Sequence, residues 1–190
     1  FYQHGGIDYA GILRAAATNL AGGSKRQGAS TITQQVARNF FLSGEKTYTR
    51  KLYEVLLSFK IESNLSKDQI FELYINQIFL GQRAYGFAAA AQIYYGKPLK
   101  DISIAEAAML AGLPKAPSAY NPIVNPKRAK IRQQYVLRRM HDLGYITDVQ
   151  FEESGKEALV IKREMMDYSV HAEFIAEMAR QITAERFPEE

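Results

Sequence analysis

Residues 28–39 of the chain read Gly-Ala-Ser-Thr-Ile-Thr-Gln-Gln-Val-Ala-Arg-Asn, and a second polar stretch, Arg-Lys-Leu-Tyr-Glu at residues 50–54, begins eleven residues later. Small residues, hydroxyls and amides packed this densely beside basic and acidic side chains suit a polar ligand better than a hydrophobic core. A helix is predicted at 30–41, and helical periodicity brings side chains three and four residues apart onto one face. The two stretches therefore predict a pair of helices that present a polar binding surface.

Helix start signals recur along the chain and indicate a mostly α fold. Residues 66–69, 103–106 and 147–150 each match the capping box, in which a hydroxyl and a Glu or Gln three residues later satisfy unpaired backbone N–H groups. Alternation typical of a strand is confined to a short segment at 158–162. The helices are predicted near 9–21, 30–41, 49–63, 84–95, 105–113, 126–143 and 171–187, with further starts at 66 and 147.

Composition places the chain among globular domains. A chain of 190 residues with 47% hydrophobic content can bury a core as one domain or as two lobes around a cleft. The longest apolar candidate, residues 78–96, is interrupted by Gln82 and Arg83 and does not reach the run of about 18 apolar residues that spans a bilayer. No signal peptide pattern is visible. The absence of cysteine excludes disulfides and thiolate metal sites.

Charge is distributed unevenly along the chain. Residues 1–141 hold 19 Lys or Arg against 8 Asp or Glu, whereas residues 142–190 hold 5 against 12. A basic body indicates an anionic partner such as lipid headgroups, a diphosphate or nucleic acid. The basic residues at 127–139 are equally well explained as a solvated helix face.

Five motifs in order, preceded by part of the family's first motif, resemble the peptidoglycan glycosyltransferase domain, glycosyltransferase family 51, of class A bifunctional penicillin-binding proteins. The pattern Glu-Asp-x-x-Phe-x-x-His-x-Gly of the first motif is matched from Phe1 through His4 and Gly6. The second and third are the two stretches quoted above, and the resemblance continues through residues 72–81, 88–97 and 111–122. In that family the catalytic base is the Glu of the first motif, which would lie four residues before Phe1 and is not in this sequence.

The resemblance implies a fold and a domain division. We expect a lysozyme-like large lobe and a smaller membrane-facing lobe with a cleft between them, formed by a glycosyltransferase domain at 1–162. Residues 163–190 would be an acidic helical linker toward a transpeptidase domain that is absent from this sequence.

The resemblance further implies polymerisation of glycan strands from lipid II. The glycan on a polyprenyl diphosphate would be transferred, with inversion, to the 4-hydroxyl of an acceptor sugar, giving a β-1,4 linkage. Such a step needs a carboxylate to accept the hydroxyl proton and a cationic environment for the departing diphosphate. Glu54 matches the second essential acid of the family, and the alternative for it is an ordinary intrahelical ion pair.

Further site residues follow from the motif positions. Residues expected to bind the donor diphosphate and sugar are Ser30, Thr31, Gln34, Gln35, Arg38, Asn39, Arg50, Lys51 and Lys115. His4, Tyr74 and Asn76 are expected to support the cleft, the last two through buried hydrogen bonds, and Ser30 could equally be a helix cap. No organic cofactor is implied, and a Mg²⁺ or Mn²⁺ ion would bind at Glu54 if at any residue.

The implied partners are lipid II, the growing glycan strand, moenomycin-type inhibitors and the transpeptidase domain of the same parent chain, without nucleic acid. Three consecutive apolar residues within residues 39–48 fit insertion at a membrane surface, or ordinary core packing. The implied location is the periplasmic face of the bacterial inner membrane, with a single-pass anchor upstream. Two alternatives are a lysozyme-like glycosidase or lytic transglycosylase, and a basic module that binds membranes or nucleic acid.

Overall fold

The computed structural model describes residues 1–21, 28–42 and 47–162, and these residues fold as successive helices. The helices are α1 Tyr9–Ala21, α2 Ile32–Phe41, α3 Tyr48–Asn64, α4 Lys67–Gln77, α5 Phe87–Tyr95, α6 Ile104–Gly112, α7 Pro126–Asp142 and α8 Asp148–Lys156. Two short 3₁₀ turns lie at Leu99–Asp101 and Leu113–Lys115. The predicted mostly α fold is confirmed.

The predicted helix starts agree with the structure because the capping chemistry is local. The three predicted capping boxes are formed, and a fourth joins Thr31 to Gln34 at the start of α2. Thr31 is extended, with φ −77° and ψ 168°, and is the N-cap. The suggestion that Ser30 caps this helix is therefore wrong, and α2 begins two residues later than predicted.

One secondary-structure prediction is wrong. Residues 158–162 form no strand, and this segment is tied down by the backbone N–H of Lys162, which donates to the carbonyl of Tyr94 at 2.8 Å. Within the described ranges, the only β-type pairing is an isolated antiparallel bridge between Phe79 and Tyr85. The helix predicted at 171–187 and the linker at 163–190 lie outside the described residues.

The main hydrophobic core gathers residues from α2 to α6. Ile70, Leu80 and Tyr94 are fully buried there. The Tyr94 hydroxyl donates to the carbonyl of Leu80 at 2.9 Å, and burial raises its pKa to about 12. A smaller cluster around Leu137 joins α6, α7 and α8. No helix in the described part of the chain is long and apolar enough to cross a bilayer.

A partly buried ion pair attaches the N-terminal segment to the helices. Lys67 Nζ lies 2.7 Å from Glu62 Oε1, 2.5 Å from the carbonyl oxygen of His4 and 4.5 Å from the centre of the Phe1 ring. The Thr33 hydroxyl donates to the same Glu62 oxygen at 2.5 Å. Burial by itself would raise the pKa of Glu62, but the hydrogen bonds from Lys67 and Thr33 outweigh it and the pKa is lowered. The segment that contains His4 is therefore held by α2, α3 and α4 together.

We expect Glu62→Gln to lower the free energy of unfolding at neutral pH by about 1–3 kcal/mol, the usual cost of weakening a buried charged hydrogen bond. Because the pKa of Glu62 is lowered in the folded state, its contribution is complete above the unfolded-state pKa. It is lost as pH falls through the folded-state pKa. The difference between wild type and variant should thus shrink on acidification, as measured by denaturant unfolding from neutral pH to below the ordinary glutamate pKa.

The matched control is Glu72→Gln, because Glu72 is an exposed carboxylate of α4 that forms no hydrogen bond or ion pair with the described residues. This substitution should change stability little at any pH. Equal pH profiles for the two variants would contradict the role assigned to Glu62.

Candidate functional site

Glu54 is the buried charge at the centre of the site. It lies on α3 with 1% of its side chain exposed, and helical spacing brings Arg50 and Lys51 of the preceding turn to its two oxygens. Arg50 Nε is 3.3 Å from Oε1, and Lys51 Nζ is 2.7 Å from Oε2. A carboxylate removed from water is strongly destabilising unless cations or donors compensate it, so this arrangement ties the three side chains to one another.

Lys51 also connects α3 to the start of α2. Its Nζ donates to Ser30 Oγ at 3.0 Å and approaches Gln34 Oε1 at 3.4 Å. The structure therefore brings together five of the predicted site residues: Ser30, Gln34, Arg50, Lys51 and Glu54. The two polar stretches, residues 28–39 and 50–54, thus lie side by side.

The N-terminal segment contacts the same helices through Gly6. The Thr31 hydroxyl donates to the Gly6 carbonyl at 2.6 Å, and Gly6 has φ +78°. A Cβ at this position would lie 3.3 Å from both Glu62 Cγ and the Ser58 carbonyl oxygen. Glycine is required here because the backbone is left-handed and close to α3.

A polar cleft of about 290 Å³ lies between the N-terminal segment, α1 and the start of α2. The predicted residues that line it are His4, Ser30, Thr31 and Gln35. Two further charged residues of the lining, Asp8 and Arg14, escaped the sequence analysis. Asp8 caps α1 by accepting from the N–H of Gly11 at 2.7 Å, and Arg14 is the one basic residue of α1, which is the signal that could have identified it.

His4 lies partly buried at this cleft. Its Nδ1 is buried and has no hydrogen bond to the described residues. Burial lowers the pKa of the ring, and the charge of Lys67 adds to the effect. The ring of Phe1 meets it edge-on, with centroids 6.4 Å apart. No hydrogen bond of the ring to the described residues is seen at Nδ1, so the predicted support of the cleft by His4 stays a prediction.

Three predicted ligand residues are not joined to the Glu54 cluster. In the part of the chain that the structure describes, no hydrogen bond or ion pair connects Arg38, Asn39 or Lys115 to it. Asn39 and Lys115 are exposed, and Arg38 is half-buried near Tyr74. Their predicted contact with a ligand stays a prediction.

The predicted hydrogen-bonding support from Tyr74 and Asn76 is corrected. Tyr74 is buried in the core beside Phe71, but its hydroxyl forms no hydrogen bond with the described residues. Burial raises its pKa, and the charge of Arg38 partly offsets the increase. Asn76 is exposed, and only its backbone packs closely, because a Cβ on Gly86 would lie 2.5 Å from its carbonyl oxygen.

The residues around Glu54 do not fit a divalent cation. Both carboxylate oxygens of Glu54 face Arg50 and Lys51. Nowhere in residues 1–21, 28–42 and 47–162 do three or more His, Asp or Glu side chains cluster as metal ligands would. We derive no chemical step through a metal ion at this site.

Comparison with known proteins agrees with this geometry. A family model described as Transglycosylase matches residues 1–141. Penicillin-binding protein 1A of Neisseria meningitidis serogroup A is 58% identical over 190 residues, which are 100% of this chain and 24% of that protein. The chain thus spans about a quarter of the length of such curated relatives.

Two further likenesses involve different coverage. A putative transglycosylase of Cupriavidus necator is 59% identical over 162 residues, covering 85% of this chain and 70% of that protein. The crystal structure of penicillin-binding protein 1A from Haemophilus influenzae aligns with a TM-score of 0.54 at 35% identity, covering 84% of this chain and 20% of that one.

Proposed function

The chain belongs to the transglycosylase family, and on that premise we propose that it is the peptidoglycan glycosyltransferase domain of a class A penicillin-binding protein that polymerises lipid II. The observation that carries the proposal is the buried Glu54, held between Arg50 and Lys51, because Lys51 joins this carboxylate to Ser30 of the polar cleft. The substrates are lipid II and the growing glycan strand.

The geometry supports a division of roles. Glu54 is 1% exposed, so it is poorly placed to accept a proton from a sugar hydroxyl in the cleft. It fixes the directions of Arg50 and Lys51, whose side chains are 16% and 44% exposed. We therefore assign Glu54 the role of a positioning residue that orients two cations toward the donor diphosphate. The proton of the acceptor hydroxyl is assigned to the glutamate that the family resemblance puts upstream of Phe1.

Cationic groups act by stabilising the negative charge that develops as the diphosphate leaves. Arginine can hold phosphate oxygens through two parallel hydrogen bonds, and lysine acts as a compact charge. Arg38 and Lys115 extend this environment in the proposal. A glycosidase has no need of such a set of cations, which is why the synthetic reaction is preferred over hydrolysis. A basic binding module, the remaining alternative, has no need of Glu54.

Exposed apolar residues support contact with a membrane surface. On α3, Leu52, Tyr53, Leu56 and Phe59 are between 45% and 59% exposed. At the end of α2, Phe40 and Phe41 are 43% and 62% exposed, so the alternative of core packing is wrong for these two residues. An exposed apolar group this close to a site for a lipid-linked substrate suits the boundary of headgroups and acyl chains.

The proposed setting is the periplasmic face of the inner membrane, with an anchor upstream and a transpeptidase domain downstream in the parent chain. Moenomycin-type phosphoglycolipids would compete for the cleft because they resemble the donor strand. His4, Ser30 and Gln35, which line the cleft, supply the polar groups that such ligands require.

The proposed reaction is tested with fluorescent lipid II and the full-length protein, including the residues that precede Phe1. We expect glycan strands from the wild type and a loss of roughly a hundredfold or more in rate for Glu54→Gln, because Arg50 and Lys51 lose the charge that positions them. Gel separation of the strands provides the measurement.

Glu153→Gln, which changes an exposed carboxylate of α8 outside the motifs, serves as the control and should retain the wild-type rate. The absence of glycan from the wild type would sink the proposed reaction. Full activity of Glu54→Gln would show that the buried cluster has no part in it.

Membrane contact is tested separately by flotation with vesicles that contain anionic lipid. Replacing both Leu52 and Leu56 by Asn should weaken partitioning by about tenfold or more, since each half-buried leucine contributes on the order of 1 kcal/mol of transfer free energy. The control replaces Ile131 and Val149, which are 68% and 64% exposed on α7 and α8. Equal weakening by the two pairs would contradict a specific contact through α3.

A further inference from the structure

Gln34 is buried more deeply than a ligand-binding amide requires. Its side chain lies on α2 with 3% exposure, although the next residue, Gln35, lines the polar cleft. Its Oε1 accepts from the backbone N–H of Thr31 at 3.1 Å and lies 3.4 Å from Lys51 Nζ. One oxygen atom therefore contacts both the cap of α2 and a cation of α3.

Helix capping alone does not account for this arrangement. Gln69 and Gln150 occupy the same position in the capping boxes of α4 and α8, where their Oε1 atoms accept from Ser66 N and Thr147 N at 2.9 Å. Both glutamines are exposed, and neither contacts a charged side chain among the described residues. The burial of Gln34 and its contact with Lys51 are thus additional to the shared capping function.

The contacts of Gln34 complete a continuous path across the site. The path runs from Glu54 Oε2 to Lys51 Nζ at 2.7 Å, on to Gln34 Oε1, and then to the backbone N–H of Thr31. The Thr31 hydroxyl donates in turn to the Gly6 carbonyl at 2.6 Å. The buried carboxylate of α3 and the N-terminal segment are therefore joined through Gln34.

We infer that Gln34 is a positioning residue, which sets the direction of Lys51 and the distance between the Glu54 cluster and the N-terminal segment, and that it does not bind substrate. The inference rests on the proposed function, and it replaces the sequence-based prediction that Gln34 is a ligand contact. A lysine ammonium has three N–H donors, and Glu54, Ser30 and Gln34 supply one acceptor each. Removing one acceptor leaves the other two to hold a flexible side chain.

The test is a double-mutant cycle with Gln34→Met and Lys51→Met in the full-length protein, with lipid II polymerisation as the readout. Gln34→Met should lower kcat by about tenfold and change KM much less, because a misplaced cation weakens the transition state. If Gln34 acts through Lys51, the double variant should be within about twofold of Lys51→Met alone. Gln34→Glu, which keeps an oxygen acceptor, should be more active than Gln34→Met.

Gln150→Met is the matched control, because it breaks a capping box of the same type far from these contacts, and it should leave kcat unchanged. Multiplicative losses in the double variant would overturn the inference, as would an effect of Gln34→Met on KM alone.

The same cycle in the free energy of unfolding separates this inference from the proposed reaction. A wild-type protein that makes no glycan refutes the reaction, whereas coupling between Gln34 and Lys51 in stability still supports the network. If Gln34→Met and Lys51→Met act independently on both the free energy of unfolding and the rate, the proposed coupling between the two side chains is refuted.

Discussion

The burial of one negative charge, that of Glu54, is the constraint on which the site depends. A carboxylate that is 1% exposed is tolerated only beside compensating charges, and α3 supplies them from its preceding turn as Arg50 and Lys51. Lys51 then reaches beyond its own helix to the first turn of α2. A requirement for charge compensation within one helix thereby fixes the arrangement of two helices, and the cationic surface that results suits a diphosphate.

A second charged contact, two turns further along α3, complements the first. Glu62 holds Lys67 and Thr33, and Lys67 in turn holds the backbone of the segment that begins at Phe1. Gly6 lies between the two charged groups, where a left-handed backbone lets the segment pass close to α3. Two hydrogen bonds thus fix the N-terminal segment, one from Lys67 to the His4 carbonyl and one from the Thr31 hydroxyl to the Gly6 carbonyl.

Local chemistry explains why so much of the fold could be predicted. Capping boxes act within four residues, so the starts of α4, α6 and α8 are encoded where they occur. The grouping of Ser30, Lys51 and Glu54 followed from motif spacing and resemblance. The properties that sequence could not predict depend on packing between distant segments. Residues 158–162 form no strand because, within the described ranges, the backbone of this segment bonds to the end of α5 rather than to another extended segment. The burial of Gln34, the exposure of Asn76 and the position of Arg14 at the cleft likewise follow from the arrangement of whole helices.

The most direct test of this account is the coupling free energy between Glu54 and Lys51, measured from the unfolding of Glu54→Gln, Lys51→Met and the double variant. Because Lys51→Met removes one of the two cations beside Glu54, and Glu54→Gln removes the carboxylate that both cations face, we expect Lys51→Met to lower the free energy of unfolding by about 1–3 kcal/mol. We expect the double variant to be markedly more stable than the sum of the single effects. Additive effects within about 0.5 kcal/mol would show that the two charges stabilise the fold independently, which would contradict the account.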